Sequence, residues 1–298
     1  MEQQPLFSII IPTYNRPERL TTCLESLIRL NYPCDRFEVI IVDDGSEVEL
    51  DSLIASFRSQ LHLTLIRQAN TGPATARNTG AKHAVGKYLA FTDDDCTTTP
   101  NWLATLAARF TTAPDDTMIG GRTLNALPDN SYSTASQVLI DYLYSYYNSG
   151  GKQLQFFASN NFALPAVGFQ AIGGFDNTFP LAAGEDRELC DRWLHKGYKM
   201  IYAPEVQVYH AHELSLPKFW RQHFNYGRGA FCFHKNRAKQ KSEKIKVEAL
   251  PFYLNLLTYP LSSTQISPLV SLFICGLLFI SQVANVTGFF WEKAQSNS

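Results

Sequence analysis

Phe37-Glu-Val-Ile-Ile-Val-Asp-Asp-Gly-Ser46 sets a largely apolar, β-branched run against two carboxylates, a glycine and a serine. Such a run reads as a buried strand, Phe37 to Val42, and the Asp43 to Ser46 tail as its turn. Leu50, Leu53, Ile54 and Phe57 then recur at helical spacing. The same alternation continues on both sides. Upstream, Phe7 to Ile11 is a short strand, and Asn15-Arg16-Pro17-Glu18 opens a helix built on Leu20, Cys23, Leu24, Leu27 and Ile28. Downstream, Leu61, Leu63 and Leu65 alternate as a third strand, and Thr71-Gly72-Pro73 begins an Ala-rich helix ending near Gly86. Lys87 to Thr92 is a fourth strand and Pro100 to Phe110 a further helix. Four strands alternating with helices predict an α/β fold, a doubly wound and mostly parallel sheet.

Past residue 115 the alternation is irregular. A strand is expected around Met118 to Leu124, a Tyr-rich helix from Ser133 to Tyr147, and a strand from Gln155 to Leu164. A helix from Glu185 to Lys196, stopped by Gly197, precedes a strand from Lys199 to His210 that Pro204 should interrupt. After Leu250 the composition changes completely.

With 45% hydrophobic and 18% charged residues over 298 positions, the chain can bury a large core, which excludes a disordered protein. A net charge of -1 gives no general attraction to nucleic acid, so no nucleic-acid partner is expected. The six cysteines show no metal-ligand or CxxC spacing and read as reduced, mostly buried thiols. The apolar run at Leu6 to Ile11 stops at Pro12, too short for a signal peptide, so the catalytic part is expected in the cytosol.

Ligands of open parallel sheets bind beyond the carboxyl ends of the strands. Asp43-Asp44 and Asp93-Asp94-Asp95 stand at two such ends, and Glu185-Asp186 opens a later helix. Carboxylates also suit helix N-termini, but capping needs one, not three. Three adjacent carboxylates repel one another unless a cation neutralises them, and oxygen ligands suit Mg²⁺ or Mn²⁺. Such a metal with open positions bridges to substrate phosphates, which points to a nucleotide-linked substrate. No GxGxxG follows the first strand and no GxxxxGK[ST] occurs, which disfavours dehydrogenases and P-loop enzymes.

Phe7-Ser-Ile-Ile-Ile-Pro-Thr-Tyr-Asn15, Val42-Asp-Asp-Gly-Ser46, Gly72-Pro-Ala-Thr-Ala-Arg-Asn78 and Phe91-Thr-Asp-Asp-Asp95 together resemble the nucleotide half of a family 2 glycosyltransferase with the GT-A fold. Ser159-Asn-Asn-Phe-Ala163, Gly173-Gly-Phe-Asp176, Gly184-Glu-Asp-Arg187 and Val208-Tyr-His210 resemble its acceptor side, so the likeness covers roughly residues 6 to 230. It implies a nucleotide-sugar-binding half at 1–125 and an acceptor and catalytic half at 126–234, and composition adds a basic juxtamembrane segment at 235–248 and a hydrophobic, membrane-associated region at 249–298.

It also implies roles. Thr13 and one of Asp43 or Asp44 would contact base and ribose, and Arg77 would sit near the nucleotide. Asp93 to Asp95 would be the DxD-type motif, with Asp95 the foremost ligand to Mn²⁺ or Mg²⁺. Asp93 and Asp94 would be shared between ribose and metal-bound water, and His210 would be a further ligand to the metal or diphosphate. Asp186 resembles the catalytic base of an inverting transfer from a uridine diphosphate sugar to a hydroxyl on a glycan, a lipid-linked or a small-molecule acceptor. Glu185 is the second candidate. The Gln-x-x-Arg-Trp of processive synthases is missing from Phe219 to Gly229, so transfer of a single sugar is expected.

Plainer readings stand beside these. Glu185 and Asp186 would also suit the first turn of a helix on Leu189, Trp193 and Leu194, and His210 a strand end. Phe219, Trp220 and Phe224 would face inward on a helix with solvated arginines, or Arg221 or Arg228 would neutralise the diphosphate. Tyr142, Tyr144, Tyr146 and Tyr147 read as packing before acceptor stacking. A sugar nucleotidyltransferase and a catalytically dead membrane scaffold are the rival functions. The former lacks its Gly-rich activator loop, and the intact acidic clusters oppose the latter.

Positions 249 to 291 contain no Asp, Glu, Lys, Arg or His. Ser267 to Gly288 is long enough to span a bilayer, whereas Ala249 to Leu261 suits an interfacial helix. Lys235, Arg237, Lys239, Lys241, Lys244 and Lys246 precede this gap, a bias that places the catalytic domain on the cytoplasmic face. A buried helix of a larger soluble fold, or a re-entrant hairpin, is the alternative.

Overall fold

The computed structural model describes residues 6–148, 156–179, 183–241, 248–262 and 267–296. In chain order its elements are β1 (Phe7–Thr13), α1 (Pro17–Ile28), β2 (Phe37–Asp43), α2 (Asp51–Phe57), β3 (Leu63–Arg67), α3 (Pro73–His83), β4 (Tyr88–Phe91), β5 (Cys96–Thr98), α4 (Trp102–Thr112) and β6 (Thr117–Asn125). They continue with α5 (Ser131–Asn148), β7 (Phe162–Pro165), α6 (Ala166–Ala171), α7 (Glu185–His195), β8 (Lys199–His210), α8 (Leu216–Lys241), α9 (Leu250–Thr258) and α10 (Pro268–Gln295). Two compact units result. One comprises Met1–Leu124, Leu154–Asn177 and Asp186–Ala211, the other Asn125–Gln153, Thr178–Glu185 and His212–Ser298.

The first unit is built on an eight-stranded mixed sheet of order β3-β2-β1-β4-β7-β6-β8-β5. The four expected strands are its parallel half, β1 pairing with β2 and β4, and β2 with β3. Beyond β4 the neighbours turn antiparallel, β7 against β4 and β6, and β5 against β8. Side chains of the central strands point alternately to two covered faces. Ile9, Ile11, Val39 and Ile41 join the core formed with α1, α2 and α4, while Ile40 and Val42 pack with Ala76 of α3. A side chain at Gly80 would collide with Ile10, so this glycine lets α3 lie directly on the sheet.

Several boundaries differ from expectation. The strand expected from Gln155 forms only at Phe162–Pro165, and Gln155 itself lies outside the described residues. Asn161, just before it, turns inward, its amide donating to the carbonyls of Arg122 and Val206 and accepting from the Trp102 indole at 2.9 Å. Pro204 does not break β8: the strand runs through it from Lys199 to His210, with Pro204 itself exposed and the pairing to β5 further along, at Val208 to His210. Among the cysteines, Cys23, Cys96 and Cys190 are buried free thiols, whereas Cys34 is exposed.

The second unit assembles α5, α8, α9 and α10 around Ala135, Leu139, Tyr142, Phe219, Phe252, Leu256, Ile274, Leu277 and Leu278. Helices α8 and α10 approach so closely that a Cβ at Gly227 would strike the Asn285 carbonyl, and one at Gly288 the Phe224 carbonyl. Arg228 is not solvated: its Nε donates to Glu292 at 2.7 Å and its guanidinium lies over Trp291. Trp220, expected inward, is 39% exposed, whereas its neighbour Phe219 is fully buried. The tyrosine stripe is packing: Tyr142 donates to the Phe252 carbonyl, and Tyr146 and Tyr147 donate to Glu248.

Candidate active site

The register of the parallel strands brings distant residues into one row. Thr13 lies opposite Asp43, and Asp43 opposite Arg67, at the carboxyl ends of β1, β2 and β3. Phe91 ends β4 opposite Ile10, so Thr92 to Asp95 emerge at the same edge. Asn15 takes a left-handed backbone there (φ 53°), donating its N–H to Ser46 and accepting from the Glu47 N–H, which clips the β1 loop to the β2 loop.

Asp43 and Asp44 are both buried but differ in work. Asp44 accepts from Gln68 Nε2 at 2.7 Å and from the backbone N–H groups of Thr71 and Gly72 at 3.0 and 2.8 Å. It thereby shapes the loop that starts α3, where Gly72 supplies the positive φ of 91°. Asp43 accepts from the Ser46 N–H at 3.0 Å, with Arg67 Nε 3.9 Å away.

The acidic triplet is held by cations rather than left to repel itself. Arg77 Nη2 donates to Asp93 at 2.7 Å. Thr13 Oγ1 donates to Asp94 at 2.8 Å, and Arg16 bridges Asp94 and Asp95 at 3.2 and 3.3 Å. Asp95 also meets Arg19 at 3.1 Å and His210 Nε2 at 3.2 Å. Burial, then the Asp95 charge, pushes Asp94 up to about 6 against the opposing pull of Arg16 and Thr13. At His210 burial disfavours the imidazolium, but Asp95 and Asp93 outweigh it and the net shift is upward. Arg16 and Arg19 were not singled out by sequence. The only available signal was the pair of arginines in Asn15-Arg16-Pro17-Glu18-Arg19, which reads as a helix start.

Asp95, Cys96 and His210 bring their ligand atoms within 4.8 Å of one another. Burial, then Asp95 and Asp93, drives the Cys96 thiol well above its ordinary value, so it stays protonated. The remaining carboxylate and imidazole donors fit an ion such as Mn²⁺. Asp93, the other expected ligand, is turned to Arg77 and stands outside this trio.

Asp186 sits in the first turn of α7, accepting from the Arg187 N–H at 2.7 Å and the Ser159 N–H at 3.4 Å. Burial raises its pKa, and those amides and the Arg77 charge pull the other way. Arg77 therefore acts electrically on both Asp93 and Asp186. Glu185, one residue earlier, is buried.

Comparison with known proteins defines the class. The profile described as "Glycosyl transferase family 2" matches residues 8–173, more than half of the chain, and the chain belongs to that family of glycosyltransferases. It is 29% identical over 258 residues to a validoxylamine A glucosyltransferase of Streptomyces hygroscopicus, covering 74% of this chain and 61% of the relative. It is 27% identical over 237 residues to the hyaluronan synthase of Pasteurella multocida, covering 68% and 24%. The chain thus spans less than two thirds of either relative. Among solved structures, the mannosyltransferase PcManGT of Pyrobaculum calidifontis, in complex with GDP-Man and Mn²⁺, aligns with a TM-score of 0.63 at 17% identity, covering 95% of this chain and 88% of that one. TarS of S. aureus in complex with UDP-GlcNAc aligns at 0.56, also 17% identical, covering 98% and 91%. These likenesses show the fold, that of GT-A glycosyltransferases.

Proposed function

We propose that this glycosyltransferase moves a single sugar from a uridine diphosphate sugar to a hydroxyl acceptor on a glycan, a lipid-linked or a small molecule, with inversion. The observation that carries the reading is the row of Thr13, Asp43 and Asp93 to Asp95 at the carboxyl edge of the parallel strands, with His210 closing on Asp95. Residues 1–125 hold the nucleotide and 126–234 the acceptor side. Asp43, less committed to its own loop than Asp44, takes the base or ribose with Thr13. Asp95 and His210 hold Mn²⁺ or Mg²⁺, with Asp93 joining if Arg77 turns from it to the diphosphate. When bound, the ion neutralises charge on the departing nucleoside diphosphate. Nucleotide and Mn²⁺ complexes of GT-A structures support the donor class and the cofactor, and uridine rather than guanosine is our choice between them.

Asp186 takes the proton from the acceptor hydroxyl as that oxygen bonds to the anomeric carbon and the bond to the diphosphate oxygen breaks. One displacement inverts the centre. Glu185 is the reserve base. The membrane attaches through the C-terminal region, with the catalytic part on the cytoplasmic face, where the six basic residues before position 249 favour it.

Purified chain incubated with a panel of nucleotide sugars and Mn²⁺ tests the reading. Slow hydrolysis or transfer, abolished by chelator and weakened in donor affinity by Asp95→Ala, is expected. Pyrophosphate exchange would indicate a nucleotidyltransferase, and no reaction with any donor a scaffold. A product retaining the donor's anomeric configuration would remove Asp186 as the direct base.

A further inference from the structure

Helix α10 is the one described helix long and apolar enough to cross a bilayer. At 28 residues it would extend about 42 Å, so length alone permits a crossing. Its two faces decide otherwise. Ser271, Ile274, Leu277, Leu278, Ser281, Ala284 and Gly288 are buried. Leu269, Leu272, Phe273, Phe279, Val286 and Phe290 form the other side, most of them one or two helical turns apart, each about half exposed or more, with Leu269 at 83%. Helix α8, which covers the first face through Gly227 and Gly288, carries Lys218, Arg221, Arg228, Lys235 and Arg237. A crossing α10 would draw that charged helix into hydrocarbon.

Resting on the membrane attachment proposed above, we infer that α10 lies in the plane of an anionic bilayer, its exposed apolar face in the lipid and its other face on α8. Helix α9 likewise exposes apolar side chains, Leu250 and Leu254. Helix α9 and α10 up to Trp291 lie in a 43-residue stretch without a formal charge, and Trp291 with the following Lys293 closes it in the manner of an interfacial anchor. Charge selects the occupant. Residues 235 to 246 hold six basic side chains and one acidic, directly before α9 in sequence, a complement to anionic headgroups.

The test uses the full chain and vesicles of phosphatidylcholine with or without phosphatidylglycerol. Unmodified protein should float with the anionic vesicles, less with neutral ones, and dissociate as salt is raised. Leu272→Glu and Phe279→Glu, both at exposed positions, should each lower the bound fraction about tenfold or more. For depth, Cys34, Cys232 and Cys275 are replaced by Ser, and a nitroxide is attached at Leu269→Cys, Phe279→Cys or Phe290→Cys. Equal, shallow depths at all three sites are expected. A deep label at 279 between shallow ones at 269 and 290 would overturn the in-plane placement while leaving attachment standing. Absence of flotation with either vesicle would overturn both. A dimer in sedimentation that shields the three labels without lipid would replace the bilayer by a second copy.

Discussion

The proposed base, Asp186, can accept a proton only while ionised, and burial holds its carboxyl above the ordinary aspartate range. As pH falls through that raised pKa the carboxylate takes up a proton and turnover drops, so the acid limb of kcat/KM should lie above the value usual for an aspartate. Asp186→Asn preserves shape but cannot accept the proton. It should lower kcat by about 10² or more, keep donor affinity and erase that limb. An unchanged limb in the variant would transfer the role to another group. His223 offers a stability counterpart. Burial, then the charge of His212, lowers its pKa from 6.5 to about 3, so the unfolded chain takes up a proton between those values while the folded one does not. Stability is therefore full above 6.5 and declines as pH falls toward 3, by about 2 kcal/mol at pH 5. His223→Phe, which can keep the edge contact to Phe219, should flatten that slope in denaturant titrations at pH 7 and 5. At this scale the acidic clusters were legible in sequence, because each ends a strand or starts a helix within a few residues. Arg16 and Arg19 were not legible as counter-ions. They meet Asp95 across 79 and 76 residues of chain, and only the strand register brings them together.

Elements were legible where a periodic pattern was long and its boundaries chemically marked. The four parallel strands and helices α1 and α3 follow from β-branched runs, prolines and glycines at their ends. Helix α6 and strand β5, six and three residues long, were not, since neither completes a recognisable period. Asn161 shows a related limit. Its motif reads as acceptor recognition, whereas its fully buried amide ties Arg122, Val206 and Trp102 together. The close pairing of α8 and α10 was equally hidden, since the sequence shows glycines but not what they approach. Gly288→Val would drive a side chain into the Phe224 carbonyl, and backbone cannot yield as a flexible side chain would. We expect a loss of about 3 kcal/mol or more, read as a lower midpoint in urea. Gly276→Ala, on the same helix with open space around it, should cost nothing and add slightly to helix propensity. Equal effects of the two would mean that the helices do not pack at Gly288.

At the scale of the molecule, composition separated the C-terminal apolar region from the rest but could not say that it completes a core. The structure shows that removing everything after Glu248, the natural way to make a soluble enzyme, would take away more than an anchor. Phe252, Leu256, Ile274, Leu277 and Leu278 are buried with Ala135 and Leu139 of α5 and Phe219 of α8. Five such side chains, at roughly 1.5–3 kcal/mol each, contribute on the order of 10 kcal/mol. That is comparable to the whole net stability of a typical domain, about 5–15 kcal/mol. The truncated chain should therefore lose the packing of α5 and α8 and aggregate, with reduced helical circular dichroism and dye binding to newly exposed apolar surface. The full chain carrying Leu272→Glu or Phe279→Glu alters only the exposed face, so it should keep its helical signal while losing membrane affinity. A truncation that stays monomeric, with α5 and α8 protected from amide exchange, would show that α9 and α10 are an appendage rather than part of the second core.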